Sequence, residues 1–246
     1  MPRGRQPPPA DYLSRTRELP VNLLFLVPWI VLYELCLLAS RSPVENAAGA
    51  WVKTLLATLG RDGLLAVGLL VCGLLCMIVL LRIREAPRDR GVYGGMLVEG
   101  LVYGSLLGLV AKVLASRFAL GHMVPLGVAD SMEGLRGTVE QLGLALGAGV
   151  FEELVFRGLL LLGLFTLLRH GIGTDRVTAG LVAIVASAWI FSGYHHWGPG
   201  GEPYVASVFA FRFWAGVALG GIFLVRGLGI AAFAHGFYDV LVMVGR

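Results

Sequence analysis

The stretch that decides the fold is residues 139–168, VEQLGLALGAGVFEELVFRGLLLLGLFTLL. It is almost entirely apolar, yet near its middle it holds two adjacent acids, Glu152 and Glu153, and an arginine, Arg157. About 20 mostly apolar residues are enough to cross a bilayer as a helix. Because charged side chains at that depth are costly, they mark a functional site by default. We therefore expect a transmembrane helix that carries chemistry.

The whole chain has the composition of a membrane protein. It is 57% hydrophobic and 15% charged, whereas a soluble domain is about 45–50% apolar and about 25% charged. No strand-like segments of the ~10 alternating residues typical of a membrane β-barrel are present. We predict an all-α, polytopic transmembrane helix bundle of seven spans, with an eighth candidate at 115–135. The seven spans are placed near 20–39, 63–82, 96–114, 139–168, 177–194, 205–225 and 228–244.

Three regions follow from this pattern. Residues 1–19 are basic and proline-rich and predict a flexible cytoplasmic segment, 20–138 predict transmembrane helices without a motif, and 139–244 form the helical core with the ionisable residues. The stretch 139–168 is too long for one straight crossing, so we expect it to be tilted, broken near Gly147–Gly149, or partly outside the bilayer. Arginines cluster before the first span and after the second, fourth and sixth, which predicts a cytoplasmic amino terminus.

If this segment is a helix, its two adjacent glutamates have different roles. Glu153 and Arg157 stand at i and i+4 in the order that favours an ion pair. Glu152 points about 100° away and is the candidate general base. The alternative is a purely structural role, in which the three charges form a network of ion pairs at a helix end in the membrane interface.

Two further apolar stretches carry histidines. His195 follows Phe191 by four residues, and His235 precedes Asp239 by four, so the members of each pair share a helix face. Asp239 could orient the imidazole of His235. Each pair alone has an alternative: interfacial aromatics for the first, and a proton relay or structural hydrogen bond for the second. Together, the three segments can converge on one pocket.

The order Glu-Glu-x-x-x-Arg, Phe-x-x-x-His and His-x-x-x-Asn/Asp resembles the CPBP (Abi) family, which contains CAAX prenyl endopeptidases and bacterial proteins of bacteriocin processing or immunity. The resemblance covers roughly 139–243 and is carried by Glu152, Glu153, Arg157, Phe191, His195, His235 and Asp239. It implies an intramembrane endopeptidase of a bacterial inner membrane, with 139–244 as its catalytic core.

The resemblance also implies roles for the residues. Glu152 and His195 would activate a water, while His235 with Asp239 would stabilise the oxyanion. Because an ionised aspartate would repel an oxyanion, we expect Asp239 to orient His235 instead. Zn²⁺ is an alternative cofactor on Glu152, His195 and His235, although no His-Glu-x-x-His motif is present. We favour a direct Glu/His mechanism without a required cofactor.

The predicted function is hydrolysis of a peptide bond in a membrane-associated or lipid-anchored protein, near its carboxyl terminus or beside a span. The expected partners are this substrate and the lipid bilayer. Nucleic acid is not expected, since the arginines at the span edges are explained by topology and headgroups. The alternative is a non-catalytic immunity or scaffolding protein that retains the motifs. A proton-coupled transporter would predict two similar halves with broken helices, which the sequence does not display.

Overall fold

The computed structural model describes residues 11–40, 81–84, 86, 89–118, 135–197 and 201–244 of the 246-residue chain. Within these ranges all regular structure is helical, which confirms the predicted all-α fold. The α-helices are α1 (Tyr12–Arg15), α2 (Leu19–Ser40), α3 (Arg90–Phe118), α4 (Leu135–Gly147), α5 (Leu162–Thr166), α6 (Arg176–Tyr194), α7 (Ala206–Arg226) and α8 (Leu228–Val244).

Four of these helices, α2, α3, α6 and α7, are long and apolar enough to cross a membrane. The last helix, α8, is apolar but shorter. These helices fit a polytopic membrane bundle. Most of the predicted span at 63–82 and most of the eighth candidate at 115–135 lie outside the described residues, so the total of seven spans stays a prediction.

The long apolar stretch does not break at Gly147–Gly149. Its backbone stays helical from α4 to Ile172, but the hydrogen bonding changes from α to π in three segments, Ala148–Glu152, Leu154–Leu161 and Leu167–Ile172. A π turn is closed by a hydrogen bond between residues five apart instead of four, so it encloses one more residue than an α turn, and π turns are frequent at functional sites. The two glutamates and Arg157 all lie in or between the first two π segments.

The last helix, α8, lies at the centre of the described bundle. It packs on α2, α3, α4, α7 and the first π segment. Close approach depends on glycines: a Cβ atom on Gly149 would lie 2.7 Å from the Gly236 nitrogen, and one on Gly104 would lie 2.6 Å from the Ala234 carbonyl oxygen. This crossing brings His235 beside the segment that carries the glutamates.

The described bundle has two ends, which α7 joins. At one end, Gly227 takes a positive φ of 96° in the link from α7 to α8. Asn22 fastens the chain's amino-terminal segment to this link by accepting from the Gly229 N–H at 2.6 Å and donating to the Thr16 carbonyl at 3.0 Å. At the other end, α7 begins directly after the segment 201–205. A helix of 21 residues is about 30 Å long, so the two ends are a hydrocarbon thickness apart.

Candidate active site

The first two π segments give the adjacent glutamates different surroundings. Glu153 and Arg157 are fully buried, and their Oε1 and Nη1 atoms are 2.7 Å apart, as the i, i+4 spacing predicts. Arg157 also donates to the Gly216 carbonyl at 3.3 Å, and its guanidinium carbon lies 4.5 Å from the centre of the Phe191 ring. Glu153 is thus the ion-pair partner of Arg157, and Glu152 takes no part in this ion pair.

A serine on α6 holds the second π segment through its backbone. The buried Ser187 hydroxyl donates to the Phe156 carbonyl oxygen at 2.7 Å. The Phe156 ring in turn packs edge-on against Phe191, with 5.2 Å between ring centres. A buried carbonyl needs a hydrogen-bond partner, and α6 supplies one where the helix departs from α geometry. Sequence reasoning did not single out Ser187.

The imidazole of His195 is held with one nitrogen facing Glu152. His195 caps α6, and its Nδ1 lies 2.8 Å from the Phe191 carbonyl oxygen. Because a carbonyl can only accept, Nδ1 carries a proton, and in the neutral ring Nε2 is then an acceptor. This Nε2 lies 3.9 Å from Glu152 Oε2. Two acceptors at that separation are suited to a water that donates to both.

His235 lies between two carboxylates. Its Nδ1 is 2.8 Å from Glu153 Oε1, and its Nε2 is 3.5 Å from Asp239 Oδ2. The short contact that fixes the ring therefore comes from Glu153, whereas Asp239 was the residue expected to orient it. Phe191 packs edge-on against both His195 and His235, at 4.9 and 6.0 Å between ring centres. All six predicted site residues thus lie in one cluster around this phenylalanine.

The zinc site considered for Glu152, His195 and His235 is not confirmed. Among the residues that the structure describes, no three His, Cys, Asp or Glu side chains are grouped so as to hold a metal ion. Both ring nitrogens of His235 face carboxylates. A catalytic zinc ion needs three protein ligands, and Glu152 with His195 supplies only two. The residues present therefore do not fit a catalytic zinc site.

Two charged residues beside the site were missed by the sequence analysis. Nη2 of Arg212, on α7, donates to both carboxylate oxygens of Glu202, at 2.8 and 2.9 Å. The Glu202 N–H in turn donates to the His195 carbonyl oxygen at 2.9 Å. A signal was present, since Arg212 is the single charged residue of the apolar run 205–225, and an ionisable residue in a span is a functional candidate by default.

Comparison with known proteins finds a match for the part of the chain that carries the site. Residues 136–241 match the family model described as type II CAAX prenyl endopeptidase Rce1-like, and this range contains the whole cluster around Phe191. Comparisons with curated proteins and with solved structures give no match. The Rce1-like family is one of CAAX-type intramembrane endopeptidases, and with the apolar helices it makes this chain an integral membrane protein. Residues 136–241 are therefore an Rce1-like domain, and this match supports a CPBP-family intramembrane protease.

Proposed function

We propose that this protein hydrolyses a peptide bond of a membrane-associated protein and that Glu152 and His195 activate the attacking water. The observation that carries the proposal is the 3.9 Å separation of Glu152 Oε2 and His195 Nε2. A water between these acceptors would give one hydrogen bond to each. Its oxygen lone pairs would then point away from both groups, toward a substrate carbonyl.

The proposed reaction needs only the substrate, one water and the side chains of the site. The water oxygen forms a bond to the carbonyl carbon while Glu152 takes a proton, and the carbonyl electron pair moves onto oxygen. Collapse of this tetrahedral intermediate breaks the carbon–nitrogen bond, and the proton on Glu152 passes to the leaving amine. His195 keeps its Nδ1 proton on the Phe191 carbonyl and orients the water through Nε2.

The oxyanion is assigned to His235. With a proton on each ring nitrogen, His235 donates to Glu153 from Nδ1, and the longer contact of Nε2 with Asp239, 3.5 Å, leaves the Nε2–H able to donate to the oxyanion. The carboxylates of Glu153 and Asp239, 2.8 and 3.5 Å from the ring, balance the charge of that imidazolium. Asp239 serves the ring and not the oxyanion, since a carboxylate has no hydrogen to donate.

We assign the substrate to membrane or lipid-anchored proteins, cut near the carboxyl terminus or beside a span. The name of the matched family, a CAAX prenyl endopeptidase, supports a cut near a carboxyl terminus. The arginine pattern supports a cytoplasmic amino terminus, and we place the protein in a bacterial inner membrane.

The test compares the protein termini in membranes of cells that express the native chain, Glu152→Gln or Glu140→Gln. Glu140 is a matched control, because it is as buried as Glu152, at 6% against 5% exposed, and lies on the same continuous helical stretch. Mass spectrometry should find a small set of new termini with the native and Glu140→Gln chains that Glu152→Gln abolishes. Identical termini for all three folded chains would contradict proteolysis and favour the immunity or scaffolding role.

A further inference from the structure

The turn that carries His195 is held in place by contacts with residues 201 and 202. His195 follows the last residue of α6, Tyr194. Its carbonyl oxygen accepts a hydrogen bond from the Glu202 N–H at 2.9 Å, and His196 Nδ1 lies 3.2 Å from the Glu202 carbonyl oxygen. Gly201 packs so closely that a Cβ atom on it would lie 2.9 Å from the His196 carbonyl carbon. The position of the His195 turn therefore depends on where residues 201 and 202 lie.

Residue 202 is in turn held by α7. Arg212 binds both carboxylate oxygens of Glu202, at 2.8 and 2.9 Å, and α7 packs along the length of α6. We propose that Arg212 and Glu202 are a positioning pair that holds the His195 turn, so that His195 Nε2 faces Glu152. The consequence for catalysis rests on the proposed function. The consequence for the backbone at Glu202 does not.

The effect on the rate follows from the geometry of the water site. Glu152 and His195 can share one water only near their present separation of 3.9 Å. A displacement of about 1 Å of a reacting group can cost about 100-fold in rate. Loss of the pair should therefore lower kcat more than it raises KM, because neither Arg212 nor Glu202 is required to contact the substrate.

The experiment uses the full chain in lipid nanodiscs, as Arg212→Gln, Glu202→Gln and the charge swap Arg212→Glu with Glu202→Arg. Glu99→Gln is the matched control. Glu99, on α3, accepts two hydrogen bonds of 2.7 Å from Arg226. This ion pair resembles that of Arg212 and Glu202, but Arg226 lies at the opposite end of α7. Hydrogen exchange would be measured at the Glu202 amide, and kcat and KM on a substrate found through its new termini.

We expect the Glu202 amide to exchange at least about tenfold faster in both single Gln variants of the pair, with kcat about 10- to 100-fold lower. The charge swap should restore both, and Glu99→Gln should change neither. An unchanged Glu202 amide in Arg212→Gln would overturn the proposal, as would an equal loss of kcat in Glu99→Gln. Should the native chain cleave nothing, the proposed function fails, but the exchange at Glu202 still decides whether the pair holds the turn.

Discussion

Glu152 and Glu153 differ in what surrounds them, although they are neighbours in the sequence. The contact of Glu153 with Arg157 was predictable, because i, i+4 spacing on a helix fixes it. The 2.8 Å contact of Glu153 with His235 was not, since it depends on how closely two helices cross, 82 residues apart in the chain. The local spacing was enough to predict the contact of Glu153 with Arg157. Its contact with His235 depends on the packing of α8.

This difference predicts that the change of Glu to Gln has different effects on stability at positions 152 and 153. Glu153→Gln leaves the Arg157 guanidinium, which is fully buried, without its carboxylate. Removing one partner of a buried ion pair costs about 3–5 kcal/mol. We expect this loss of unfolding free energy for Glu153→Gln and a much smaller one for Glu152→Gln, which should still abolish cleavage. Reversible unfolding in mixed detergent micelles measures the first effect; equal stabilities for the two variants would contradict the assignment of the ion pair.

At the scale of the elements, the helices were predictable and their hydrogen bonding was not. Runs of apolar residues indicated where the described helices α2, α3, α6, α7 and α8 lie. The same pattern suggested a break near Gly147–Gly149 as one way to accommodate the long stretch. The chain instead changes to π geometry there, and the reason is tertiary: Gly149 lies against α8, and Ser187 of α6 binds the Phe156 carbonyl. Neither partner is visible in the local sequence.

The contact at Gly149 gives a prediction for packing. A Cβ atom there would lie 2.7 Å from both the Ala232 carbonyl oxygen and the Gly236 nitrogen, so Gly149→Ala must push α8 away. We expect a loss of about 1–3 kcal/mol in the free energy of unfolding, together with a lower kcat. Gly163→Ala is the control, because a Cβ on Gly163 meets no atom within 4 Å, and alanine favours a helix interior by about 0.5–1 kcal/mol. Equal destabilisation by both changes would argue against close contact at Gly149.

The whole molecule places its site near one end of the bundle. Arg226, at the carboxyl end of α7, lies over the Tyr12 ring, with 5.1 Å to the ring centre. Arg212 and Glu202 lie toward the other end, near His195. The sequence predicted an orientation from the arginines alone, and the structure adds which residues share an end. Most of the span at 63–82 lies outside the described residues, so the complete topology stays a prediction.

Labelling of single cysteines tests this arrangement. In a chain with its three cysteines replaced, one cysteine would be placed at Arg17 and another, separately, at Tyr204, both of which are exposed. We expect a membrane-impermeant maleimide to label position 204 in intact cells and position 17 only after permeabilisation. Labelling of both positions from the same side would contradict a membrane-spanning α7. The reverse pattern would retain that helix and invert the predicted orientation.

The π segments also make the site sensitive to the number of residues in the chain. Each residue of a helix turns the chain by about 100°, and a π turn contains one residue more than the α turn it replaces. Deleting a single residue between Gly149 and Glu152 without a change of helix type would turn the residues after it by about 100° relative to those before it. Glu153 would then point where Glu152 points now, although the chemistry of both side chains is unchanged. Related sequences should therefore vary in the apolar residues of this interval, but not in their number.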